Sequence, residues 1–250
     1  MHRFYLPPAQ CVGDQLRLTD REAHHALHVL RLRNGETVTI LDGAGQSLEC
    51  EVNGLTRAEV KLKVRTRSLI PPLPCQITLI QALPRGKIMD AIIQKAVELG
   101  AHRVIPILSE RVVSQLDEEG VESKRDKWQQ VAVEAIKQSG AAWLPSVAAP
   151  IPLAKYLAQP EVFDLTLIGS LQAERRHPRA CLVEYQTRQS HPPGRIGVWV
   201  GPEGDFTPAE VAAIQAAGAQ PITLGRLVLR VETAAIYCLS ILNYELNTNA

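Results

Sequence analysis

Ile196-Gly197-Val198-Trp199-Val200-Gly201-Pro202-Glu203-Gly204-Asp205-Phe206-Thr207-Pro208 is the stretch that decides how the rest of the chain is read. Five apolar residues predict a strand, and Gly201 to Phe206 predicts a tight turn. A helix start follows, with a hydroxyl at Thr207, proline where its missing N–H costs nothing, and Glu210 three residues after the cap. That helix is expected over roughly Pro208 to Ala217, ending at Gly218. A short strand from Pro221 to Leu224 leads through Gly225-Arg226-Leu227-Val228-Leu229-Arg230-Val231-Glu232 into a last helix from Thr233. Two glycine-bearing loops thus follow two strands, and in an open α/β sheet ligands bind at the C-terminal ends of the strands.

The same alternation extends upstream. Gln76 to Ala82 reads as an apolar strand, Ile88 to Leu99 as a helix ended by Gly100, and His102 to Leu108 as a strand whose Pro106 suggests an edge or a bulge. A long helix is expected from Ser123 through Gln138, and a strand from Val162 to Ile168 ending at Gly169-Ser170. Residues 174–194 are polar and say little. Strand–helix alternation from Cys75 onward predicts an α/β domain with a mostly parallel sheet and helices on both faces.

The front of the chain is different. Ala23, Ala26, Leu27 and Leu30 have helical spacing, Asn34-Gly35 and Asp42-Gly43 mark turns, and Thr37 to Leu41 and Ser47 to Val52 read as strands. From Ala58 to Arg67 the pattern alternates strictly. Val60, Leu62 and Val64 face one way, and Lys61, Lys63, Arg65 and Arg67 the other. Such a row of cations suits the phosphates of a polyanion, and it equally suits a solvated strand face. Residues 1–72 carry ten Lys/Arg against eight Asp/Glu, and four of the seven histidines, so the front is the more basic part. The proline-rich Ile70-Pro71-Pro72-Leu73-Pro74 marks the expected boundary between domains 1–72 and 73–250.

Several classes are excluded or disfavoured. No apolar run approaches the length of a membrane span, and the first residues lack an apolar signal core, so a cytoplasmic protein is expected. Five cysteines stand singly with no C-x-x-C pair, which predicts buried thiols rather than disulfides or zinc. His24 and His28 share a helix face without an acidic third ligand, so no metal site is expected. The Gly201 turn is not G-x-G-x-x-G, there is no phosphate-binding G-x-x-x-x-G-K-[ST], and there is no G-x-S-x-G elbow. By spacing alone, Arg226, Arg230 and Glu232 suit a phosphate or carboxylate site and helix capping equally well.

Gly201-Pro202-Glu203-Gly204, Leu224-Gly225 and Leu229-Arg230-Val231-Glu232-Thr233-Ala234 together resemble the RsmE family of 16S ribosomal RNA (uracil-N3)-methyltransferases, of the SPOUT (α/β-knot) superfamily. Further similarities are His24-His25-Ala26-Leu27-His28-Val29-Leu30-Arg31, Asp42-Gly43, Lys87, Asp90, Glu98-Leu99-Gly100, Glu110-Arg111 and Lys127-Trp128. The resemblance implies a trefoil-knotted C-terminal domain, a PUA-like N-terminal β-barrel that grips RNA, and a homodimer. It implies S-adenosylmethionine as cofactor, held by Ile168, Gly169, Gly201, Pro202, Glu203, Gly204, Leu224, Gly225 and Leu229. Arg230 and Glu232 become the expected catalytic residues. Arg3, His24, His25, Arg31, Arg33, Lys61, Lys63, Arg65, Arg67, Lys87 and Arg111 become the expected contacts to 16S rRNA, within the 30S subunit. A tRNA methyltransferase of the same fold and a non-catalytic RNA-binding assembly factor are the alternatives. Two positions depart from the family pattern: Asp205, where glycine is usual, and Ala141-Ala142, where an arginine is usual.

Overall fold

The computed structural model describes residues 2–111, 118–171 and 174–247. The chain divides into two compact units: residues 1–72 with Val133–Leu144, and Leu73–Ala132 with Pro145–Ala250. One division falls between Pro72 and Leu73, within the proline-rich segment, and one later piece of chain, Val133–Leu144, groups with the first unit. The buried Lys137 ammonium pairs there with Glu22 at 2.7 Å and Glu134 at 3.1 Å.

The first unit is a five-stranded sheet. β1 (His2–Tyr5), β2 (Gln15–Leu18), β3 (Thr37–Leu41), β4 (Gln46–Leu55) and β5 (Val60–Leu69) lie in the order β1-β3-β4-β5-β2. Only β1–β3 is parallel. The alternation read in β5 holds at its start, where Val60 and Leu62 are fully buried with Phe4, Leu18, Ile40 and Leu48 in one core. The expected helix around the histidines is shorter and irregular. α1 (Asp20–His24) passes into a π-type turn, His25–Val29, and Arg31 turns the chain with a φ of +55°.

The second unit is a seven-stranded, all-parallel sheet. Its strands are β6 (Gln76–Ala82), β7 (Ala101–Leu108), β8 (Ser146–Val147), β9 (Ile151–Pro152), β10 (Leu165–Gly169), β11 (Arg195–Val200) and β12 (Gln220–Ile222). The order is β12-β10-β11-β6-β7-β8, with β9 also on β7. β6 and β11 sit centrally and are buried along nearly their whole length, as strands covered on both faces must be. Pro106 lies between the two short partners of β7, at Arg103–Val104 and Ile107–Leu108, where no ladder bond is asked of it on that edge.

Helices cover both faces. α4 (Leu153–Ala158) and α6 (Pro208–Ala216) share a core with Ile80, Ile105, Ile168 and Trp199. Alternation puts Ile77 and Leu79 on the opposite face of β6; α2 (Ile88–Glu98) and α7 (Val231–Asn247) pack against each other, and α7 also packs on β6 and β11. α3 (Glu118–Ser139) begins earlier than its sequence pattern suggests, and α5 (Pro178–Gln189) occupies the stretch that carried no legible pattern. The capping box at α6 is complete: the Thr207 hydroxyl accepts from Glu210 N–H at 3.3 Å and Glu210 accepts from Thr207 N–H at 2.8 Å.

Candidate active site

Because β12, β10 and β11 are neighbours and parallel, the loops that leave their C-terminal ends converge. These are Gly169–Leu171 after β10, Gly201–Asp205 after β11, and Leu224–Arg230 after β12. Together they enclose a cleft of about 430 Å³, closed further by Ile88 and Arg175. That lies within the 300–1,000 Å³ typical of small-molecule sites.

Each loop is held from beneath. Ser170 N–H donates to the Ile222 carbonyl at 3.1 Å, joining β10 to β12. The buried Gln81 amide donates to the Ala82 carbonyl at 2.9 Å and to the Val200 carbonyl at 3.3 Å, tying the end of β6 to that of β11. Beyond Val200 the chain turns, with Asp205 N–H donating to the Pro202 carbonyl at 2.9 Å, and Phe206 inserts beside Trp199 with ring centroids 6.1 Å apart. Asp205 has a φ of +60°, in the left-handed region where aspartate is better tolerated than most residues, and its carboxylate accepts from Phe206 N–H at 2.8 Å. A Cβ at Gly201 would stand 3.0 Å from the Asp205 carboxylate, so a side chain there would push that carboxylate aside by a few tenths of an ångström. Gly225 turns the third loop at φ +110°, and the Thr223 hydroxyl accepts from its N–H at 3.2 Å.

Of the residues expected to hold a cofactor, Gly169, Gly201, Pro202, Glu203, Leu224, Gly225 and Leu229 line this cleft, together with Arg230 and Glu232. Two do not. Ile168 is fully buried in the sheet core, because the odd-even alternation of β10 turns it away, and Gly204 lies against the Arg111 side chain. Several lining residues were not anticipated: Ser170, Asp205, Leu227 and Val228 adjoin named positions, whereas Arg175 comes from the uninformative stretch and reaches the Ser170 carbonyl at 3.2 Å. The last helix starts at Val231 rather than Thr233. The Arg230 carbonyl accepts from Ala234 N–H at 2.8 Å, so Arg230 occupies the cap and Glu232 the first turn.

The cleft suits a cofactor with an apolar ring and charged ends. Val200, Leu224, Leu227, Val228 and Leu229 supply apolar wall, glycines let backbone approach closely, and Glu203, Asp205, Glu232, Arg175 and Arg230 supply charged groups to the lining.

The expected RNA contacts meet different fates. His24, Arg31, Arg33, Lys61, Lys63 and Lys87 are exposed. His25 packs edge-on to Phe4, with ring centroids 5.9 Å apart. Arg3 donates to the Gln138 carbonyl at 3.0 Å and the Lys137 carbonyl at 3.4 Å, at the end of α3, so part of its donor capacity is used internally. The cationic row on β5 is broken. Arg65 pairs with Glu51 at 2.5 Å, because β4 places that carboxylate on the same face, and Arg67 donates to the Cys11 and Gly13 carbonyls. Lys61 and Lys63 have no ion pair among the described residues. Arg111 donates to the Gly204 and Asp205 carbonyls. The His24 and His28 rings lie 4.8 Å apart, and no group of three or more potential metal ligands occurs among the described residues.

The family comparisons assign the parallel-sheet unit, and the small β unit before it, to the RNA methyltransferases. Residues 71–243 match the RNA methyltransferase domain family, and residues 18–65 match the RNA methyltransferase PUA domain. Ribosomal RNA small subunit methyltransferase E of Synechocystis is 32% identical over 97% of this chain and 77% of its own length, and that of Bacillus subtilis 29% over 91% and 89%. The crystal structure of a ribosomal RNA small subunit methyltransferase E from Neisseria gonorrhoeae, bound to S-adenosyl methionine, superposes with a TM-score of 0.88 at 31% identity over the full length of both chains. The chain belongs to the ribosomal RNA small subunit methyltransferase E family.

Proposed function

We propose that this protein methylates N3 of a uridine in 16S rRNA with S-adenosylmethionine as methyl donor. The observation that carries this reading is the convergence of three loops on one cleft with Arg230 and Glu232 at its rim. When bound there, the cofactor supplies an electrophilic methyl group. Gly169, Gly201, Gly225 and the leucines of the third loop would hold it.

N3 of neutral uracil carries a proton and becomes nucleophilic once that proton leaves. Arg230 sits at the N-terminal end of α7, where the guanidinium and the positive end of the helix together favour the negative charge that develops on the base. Glu232, in the first turn of the helix, accepts the N3 proton or orients the base. Holding the two reactants in one cleft contributes through proximity. A uridine within folded rRNA has to be turned out to reach it.

Residues 1–72 grip RNA in this reading, and residues 73–250 form the catalytic domain, its chain knotted at the C-terminal loops. The protein acts in the cytoplasm on the 30S subunit as a homodimer. A stripe on α7 supports the dimer: Tyr237 and Tyr244 are exposed, Ile241 lies between them, and the opposite side, with Cys238, Leu239 and Leu242, is buried. Leu227 and Val228, about four-fifths exposed, extend the apolar surface beside the cleft.

The test is calorimetric titration with S-adenosylmethionine, followed by mass spectrometry of 16S rRNA from cells with and without the protein. Binding in one site, and loss of a methylated uridine when the protein is removed, are expected. An unchanged rRNA methylation pattern refutes the reading. Parallel assays on tRNA, naked 16S rRNA and 30S particles identify the substrate form.

A further inference from the structure

A second cleft, of about 340 Å³, lies on the other side of the loop that follows β11. The strand order explains its place. The loops after β12, β10 and β11 build the first cleft, and those after β11, β6 and β7 build the second, so Pro202 and Glu203 are the wall between them. Its floor is Trp128, 4% exposed, whose indole N–H donates to Asp90 at 3.0 Å. Three cations surround that floor: Arg85 from the loop after β6, Arg111 from the loop after β7, and Lys124 from α3.

These cations are little neutralised. The Arg85 and Lys124 side chains have no ion pair among the described residues, and the Lys124 ammonium stands 5.4 Å over the Trp128 ring. Arg111 donates to backbone carbonyls and has further N–H groups to offer. Among the described residues Glu203 is the only acid lining the cleft, and one of its oxygens already accepts from the Arg85 backbone N–H at 2.8 Å. The neighbouring Asp90 is engaged by Trp128 and by Lys127 at 2.6 Å. What remains is a pocket of positive charge whose buried indole is too enclosed to stack on a base. A phosphodiester, with its delocalised negative charge and several acceptor oxygens, fits such a pocket.

The geometry points to this cleft as a backbone-phosphate site for the RNA strand that carries the target nucleotide, one loop away from the methyl-transfer cleft. It rests on the function proposed above. Anchoring the strand by Arg85 and Lys124 on one side of Pro202-Glu203 sets how far a turned-out base reaches into the cleft on the other side.

The test compares wild type with R85A, K124A and the double variant, all in the full chain. Binding to 16S rRNA or 30S particles is measured across a salt series, and S-adenosylmethionine affinity by calorimetry. Each lost phosphate contact is expected to lower the slope of log K against log salt by about 0.7–0.9. The double variant is expected to show a raised KM for RNA with unchanged cofactor affinity. An unchanged slope in the double variant overturns the proposal, even where wild type methylates rRNA normally. Wild type that binds RNA but methylates none overturns the proposed function, while the slopes still decide on the phosphate site. R85A alters a side chain with no hydrogen bond or ion pair among the described residues and keeps the test valid if K124A folds poorly.

Discussion

Glu210 offers the most exacting check of how the site is built. It is 8% exposed, and its two carboxylate oxygens do different things: one accepts from Thr207 N–H at 2.8 Å, closing the capping box of α6, and the other accepts from Glu110 N–H at 2.7 Å, in the loop after β7. E210A removes both acceptors. Loss of the capping interaction costs about 1 kcal/mol. Leaving the Glu110 N–H without its charged partner costs about 1.5–3 kcal/mol more, so a total of about 2.5–4 kcal/mol is expected. In a chain of this size that lowers the melting temperature by about 5–16 °C. E210Q keeps one acceptor oxygen and should fall between E210A and wild type. Since the Thr207 end borders the Gly201–Phe206 turn, S-adenosylmethionine affinity should weaken alongside stability in E210A. Thermal unfolding followed by circular dichroism, with calorimetric titration of the cofactor, reads both effects. A melting point within about 2 °C of wild type for E210A refutes the account of Glu210 as the tie between the two loops.

Other perturbations separate the remaining roles. R230A should lower kcat by about 10²–10³ with little change in cofactor affinity, as expected for a group that stabilises developing charge; equal losses in calorimetry and methyl incorporation would make Arg230 a cofactor ligand instead. At Asp205, with its φ of +60°, D205A should destabilise by about 1–2 kcal/mol while D205G should be close to neutral, and equal melting points for the two variants would contradict the left-handed geometry. All five thiols are buried, and burial pushes Cys50, Cys75 and Cys238 up to about 12 and Cys11 to about 11. The folded chain should therefore resist alkylation at pH 8 and take up five labels in denaturant. Because the folded chain holds these protons after the unfolded chain has released them near pH 8.5, their contribution to stability is full below that pH and lost as pH rises towards 11–12. Alkaline melts of cysteine-to-serine variants would show this.

Local chemistry determined a good deal by itself. The capping box at Thr207–Glu210 and the strands either side of it could be read directly, because each depends on residues within a few positions of one another. The cleft-lining glycines were legible for the same reason. Tertiary structure decided what depends on neighbours distant in the chain. It brought Arg175 into the cleft, and it gave Glu210 a second partner a hundred residues away. It drew Arg65 onto Glu51 and Arg67 onto two carbonyls, which broke a cationic row that looked continuous in one dimension. Strand order alone placed Pro202 and Glu203 between two clefts. Spacing along a chain fixes which side of a strand or helix a residue occupies, whereas the charges and carbonyls it meets there are set by how the strands pair.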